Sequence, residues 1–161
     1  MKTNFLENNH VVHCAPSTVS AAAEDYANTS TETTPISLAN ADGAVFIHTT
    51  MANLTGNSSL YIVAADVATT PTTTVAVSFR YKTIQAPNTL LASGESKDLL
   101  TSTGANIIYV LEVDAAKVAE QGYEYVQCVS VEVTAAAVDG AIIGFLTGLR
   151  YKEDDIGTQV A

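Results

Sequence analysis

Cations are scarce in this chain. Lys and Arg together number 7 against 17 Asp and Glu, for a formal net charge of -10. Nucleic-acid binding needs clustered cations to neutralise phosphates, and the sequence has no basic cluster, so that class of partner is argued against. Histidine is sparse as well, with three residues in 161, which leaves acid–base catalysis poorly supplied. No GxSxG is present, and no Ser, His and Asp are placed as a triad. Cys14 and Cys128 are the only cysteines. The stretch MKTNFLENNH lacks the apolar core of a secretion signal, so the two thiols are read as free, small buried groups in a reducing compartment. No apolar run approaches the roughly 20 residues that cross a bilayer, so a membrane partner is not expected. The protein is expected to be soluble when made in the cytoplasm.

Hydrophobic residues make up 47% of the chain and charged residues only 15%. The rest is largely Thr, Ser and Asn, and much of the apolar share is Val and Ala. Val and Thr lose side-chain freedom in helices and fit a pleated surface. A single all-β domain follows, long enough to bury about two thirds of its unfolded surface.

The strongest periodicity runs from Ile107 to Lys152. Ile107, Tyr109, Leu111 and Val113 alternate with Ile108, Val110 and Glu112. A second strand sets Tyr123, Tyr125, Val129, Val131 and Val133 on one face, with Cys128, Ser130 and Glu132 on the other. A third sets Ile143, Phe145, Leu149 and Tyr151 on one face. Period two is the mark of half-buried strands. The connection after Asp114 can form a helical turn.

Upstream, Asp42-Gly43 is a turn pair before a strand at 44–50, and NLTGNSS is a loop centred on Gly56. Leu60 to Ala65 is an apolar run of the kind buried on both faces. Thr74 to Lys82 alternates cleanly, with Val75, Val77, Phe79 and Tyr81 as its core face. Residues 85–104 read as a long loop, and 34–38 as a further short strand. Pro16 and Pro35 interrupt residues 1–40, where a helical turn at 21–26 is short and uncapped. The expected architecture is an antiparallel β-sandwich or jelly roll over residues 41–161, preceded by an extended N-terminal arm over residues 1–40.

Chemistry-bearing residues are few. His10, His13 and Cys14 form HVVHC, good zinc ligands whose i, i+3 spacing can converge on a helix. A closed metal site would need a fourth ligand, which only His48 or Cys128 could bring. Gly94 to Lys97 lacks the first glycine of a phosphate loop and is read as a surface turn. Asp114, Asp139 and Glu153 to Asp155 lie near turns without the DxDxDG spacing of a calcium loop. Three Asn-x-Ser/Thr matches, at Asn28, Asn53 and Asn57, are expected by chance in so Thr- and Asn-rich a chain. Tyr81, Tyr109, Tyr123, Tyr125 and Tyr151 could line a sugar-binding face, but on alternating strands they fit a core or an interface. No catalytic residue, cofactor or metal site is assigned.

The segments YVLEVDAAKVAEQGYEYVQCVSVEVT (Tyr109 to Thr134) and GAIIGFLTGLRYKEDD (Gly140 to Asp155) carry a resemblance. Their order is a strand ending in Glu-Val-Asp, a helical turn, Gly-Tyr before a long strand, and a strand ending in Leu-Arg-Tyr. That order resembles the capsid cement or decoration proteins of tailed bacteriophages, which are small β-sandwich virion proteins. Residues 43–84 look similar to the first half of such sandwiches. The resemblance covers about two thirds of the chain and implies no catalytic residue. It implies a structural protein on the outer surface of a capsid, clamping neighbouring subunits of a major capsid protein, itself a dimer or trimer. A lectin-like or fibre- and tail-associated sandwich module is the alternative, and a jelly-roll enzyme a third.

Overall fold

The computed structural model describes residues 9–15, 30–50, 56–85, 87–102, 106–134 and 140–149. Twelve strands lie among them: β1 (Asn9–Ala15), β2 (Ser30–Glu32), β3 (Ile36–Ser37), β4 (Gly43–Thr50), β5 (Ser58–Ala65), β6 (Thr74–Val77), β7 (Phe79–Gln85), β8 (Thr89–Ser96), β9 (Leu99–Leu100), β10 (Ile107–Asp114), β11 (Tyr125–Glu132) and β12 (Gly140–Thr147). One short helix, α1 (Ala115–Ala119), follows β10. The larger sheet has the order β1-β12-β4-β10-β7-β8. The smaller has the order β2-β11-β5-β6, with β3 extending the β2 edge along β11 and β9 pairing β5 beyond β6. The pairings are antiparallel, and the two layers form the expected all-β sandwich.

The core sits between the layers. Strand β10 is the central staple of the larger sheet, and its Ile107, Tyr109, Leu111 and Val113 are all buried, as the alternation predicts. Facing them from the smaller sheet are Leu60, Ile62, Val126 and Cys128, with Phe46, Phe79, Ile142 and Leu146 alongside. Burying one such aliphatic or aromatic side chain stabilises by about 1.5–3 kcal/mol. These rows are the main reason that the sandwich closes.

In two strands the richer apolar face is the outer one. In β11 the inward residues are Val126, Cys128 and Ser130, while Val129 and Val131 are half-buried on the outside. In β12 the inward residues are Ile142 and Leu146, and Ile143 and Phe145 face out. Both strands are apolar on both faces, so periodicity alone cannot choose the inner one.

The run Thr74 to Lys82 is not one strand. It breaks at Ser78, so that β6 belongs to the smaller sheet and β7 to the larger. Val77 and Phe79 are both buried on either side of that break. Residues 85–104, expected as a loop, instead hold the end of β7, all of β8 and β9. Residues 30–38 are built into the sandwich: Ile36 and Leu38 are core, and the Thr33 hydroxyl accepts from the Cys128 N–H at 2.9 Å. β1 forms one outer edge of the larger sheet through its ladder with β12. The expected helical turn at 21–26 lies outside the described residues.

Helix α1 closes one end. Asp114 caps it, its carboxylate accepting from the Ala116 N–H at 2.9 Å, and Val118 plugs into the core. Capping of this kind satisfies a donor that the first turn leaves open.

Candidate interaction surface

The residues singled out for chemistry do not converge. HVVHC is part of strand β1, where the i, i+3 convergence of a helix does not arise. His10 is half-buried, and the side chains of His13 and Cys14 lie outside the described residues. His48 is in the core, fully buried on β4, where desolvation pushes its pKa down to about 4. A neutral imidazole at that position fits an apolar interior. Cys128 is fully buried in the core. Among the described residues no three His, Cys, Asp or Glu side chains are grouped as metal ligands would be.

Gly94 to Ser96 belong to β8 rather than to a turn, and Glu95 is held by the Lys117 ammonium, which also donates to the Ser78 hydroxyl at 3.2 Å. That ammonium keeps the Glu95 carboxyl below its ordinary pKa. Asp114 is occupied as the α1 cap. Asp139 and Glu153 to Asp155 lie outside the described residues, as do Asn28, Asn53 and Tyr151. In the third Asn-x-Ser/Thr match, Ser58 and Ser59 are buried at the start of β5. The tyrosines are spread over the molecule: Tyr109 is core, Tyr81 and Tyr123 pack at its margin, and Tyr125 lies half-buried on β11.

Beside α1 lies a cleft of about 570 Å³ between Leu38, Val118 and Tyr123, rimmed by Asp42, Asp114 and Glu124. Its carboxylates are engaged locally, Asp114 in the cap and Glu124 as acceptor from the Ser37 hydroxyl at 3.2 Å.

The outstanding surface is the outer face of the larger sheet. Strand register sets its side chains in three rows. The first runs Val11, Phe145, Val45, Glu112, Arg80 and Glu95 from β1 across to β8. The second runs Ile143, Ile47, Val110, Lys82 and Ser93. The third runs Ala141, Thr49, Ile108, Ile84 and Leu90. Apart from Thr49, these rows are apolar from Val11 on β1 across β12 and β4 to Ile108 and Val110 on β10, where an antiparallel sheet with one wet face would carry polar residues. Val11 is 47% exposed, Ile143 44%, Ile108 39% and Leu90 56%.

The charged residues are confined to one corner. Arg80 and Glu112 pair across β7 and β10 at 3.1 Å, both largely in water. Ser93 and Gly94 leave a depression of about 370 Å³ beside them. The edge strand β8 is exposed along its length, and a register shift opposite Thr83 and Ile84 adds Leu91 to its apolar display.

Sequence reasoning recognised the outward residues Ile143 and Phe145 as apolar but did not foresee that their face turns outward. The available signal was β4 and β12 being apolar on both faces. A strand of that kind is either sandwiched between layers or destined to be covered.

Together, fold and surface define a two-layer antiparallel sandwich that presents one unusually apolar sheet face. No protein-family model and no curated protein matches the sequence. Among solved structures, the crystal structure of the SPBc2 prophage-derived protein YomS aligns over 89% of this chain and 96% of its own, with a TM-score of 0.50 and 11% sequence identity. The two chains share a fold.

Proposed function

We propose that this chain is a structural protein of a bacteriophage particle that binds the outside of the capsid and stabilises contacts between major capsid protein subunits. The observation that carries the reading is the prophage origin of a protein sharing the fold over nearly the whole of both chains. The surface supports a scaffolding role, since its distinguishing feature is an apolar sheet face rather than a polar pocket. A rigid sandwich repeated over a symmetric shell multiplies modest contacts, because neighbouring sites hold one another in place. Binding the assembled shell in preference to free subunits would stabilise it by mass action.

The test is fractionation of particles. Filled capsids stripped of their tails are purified and probed for the chain. Retention on the capsids is the expected result. Recovery with tails or fibres instead would overturn the capsid reading and leave a tail-associated sandwich module in its place.

A further inference from the structure

We infer that the outer face of the larger sheet is an interface between two copies of this chain, stacked sheet on sheet about a two-fold axis. Three observations select a second copy as the occupant. The first is charge. The whole chain carries -10, so copies meeting through most of its surface would bring acidic groups together. On this face and its rim three cations, Arg80, Lys82 and Lys117, balance three carboxylates, Glu95, Glu112 and Asp114, with Arg80 paired to Glu112 and Lys117 to Glu95. The face is thus locally neutral, and two copies meet there without the repulsion that the net charge imposes elsewhere.

The second is shape. Two sheets pack face to face about 10 Å apart with strands within roughly 30° when their twists match. A sheet of identical twist is supplied by another copy of the same strands. An isologous contact also needs a patch that complements itself, and Ile47, Val110 and Ile143 at the centre do so by being uniformly apolar.

The third is area. Six strands about 4.8 Å apart and eight residues long at about 3.3 Å each make a face of roughly 24 by 26 Å, about 600 Å² before side-chain relief and rim are counted. A stable interface takes about 800 Å² from each partner. The flat area alone is about three quarters of that, relief and rim add to it, and the apolar rows have the composition of a dimer interface.

This inference does not rest on the capsid reading: a capsid-bound monomer would overturn it alone, and a dimer that ignores capsids would overturn only the other. Light scattering coupled to size-exclusion chromatography, on the full chain from about 1 to 100 μM, is expected to show a dimer. Ile143→Lys and Ile108→Lys, each placing a charge on an already exposed position, are expected to shift the chain to monomer. Far-UV circular dichroism should stay unchanged. Leu100→Lys, on the smaller sheet, is expected to leave the dimer intact. Should either variant fail to fold, hydroxyl-radical footprinting of the unaltered chain gives the same answer, with Ile108 and Ile143 protected at high concentration and labelled on dilution. A monomer across the whole range, a dimer that persists in both folded lysine variants, or labelling at Ile108 and Ile143 that does not change with concentration overturns the proposal.

Discussion

The His48 imidazole lies against the Tyr109 ring across the β4–β10 ladder, with ring centroids 5.8 Å apart and planes tilted by 33°. Both side chains are buried, and burial lowers the His48 pKa to about 4 while raising that of Tyr109. Of the two, His48 makes the middle of the sandwich sensitive to acid. In the unfolded chain His48 titrates near the ordinary histidine value of 6.5, so below that pH the unfolded state takes up the proton more readily than the folded one. Stability from this group is complete above pH 6.5, falls as pH drops toward 4, and is fully lost below it. The full span amounts to about 3 kcal/mol. Urea unfolding at several pH values should show this slope, and His48→Leu should flatten it; a variant with the slope of the unaltered chain would refute the assignment.

Gly140 opens β12 beside the same histidine. A Cβ there would stand 2.5 Å from the Thr49 carbonyl oxygen and 3.2 Å from His48 Nε2. The first is backbone in a paired strand and has little room to give. Gly140→Ala is therefore expected to cost about 1–3 kcal/mol, as overpacking does. Thermal unfolding reads it as a drop of several degrees. Gly122, at φ +83° with open space around it, should cost only about 1 kcal/mol when changed to Ala, through backbone strain alone.

Asp114 ends the central strand and starts α1. Asp114→Ala removes the acceptor for the Ala116 N–H and should destabilise the fold by about 1 kcal/mol, whereas Asp114→Asn keeps most of the cap. Equal losses from both substitutions would mean that capping is not what Asp114 contributes.

Cys128, fully buried between the layers, should react with thiol reagents only when the sandwich opens. In a Cys14→Ser background, maleimide labelling in native buffer is expected to be slow and to accelerate across the urea transition. Fast labelling without denaturant would contradict the core position.

How far the sequence carried depended on what each strand's faces had to say. β10 was legible because it is apolar within and carries Glu112 without, and α1 because Asp114 precedes a run of helix formers. β12 was legible as a strand and illegible in orientation, since Ile142 and Ile143 are equally apolar and only packing distinguishes them. β8 escaped notice because an edge strand exposed on both sides has no apolar alternation, and its register shift at Leu91 breaks the period further. The break at Ser78 left no trace either, because Val77 and Phe79 keep the same rhythm on either side while entering different sheets. The apolar sheet face shared one cause with the β12 ambiguity: outward isoleucines look like core until the fold shows which core is already full.

The pairing of β1 with β12 sets a timetable for the newborn protein. Val11 finds its partner in Phe145, almost the whole described chain away. At cellular translation speeds β1 leaves the ribosome on the order of ten seconds before β12. Throughout that interval β4 also lacks its β12 neighbour, so the larger sheet cannot be completed while synthesis continues. Contacts that distant slow the search for the native state. The net charge of -10 acts on the unfolded chain as well: like charge opposes contact between nascent copies while β1 waits for β12.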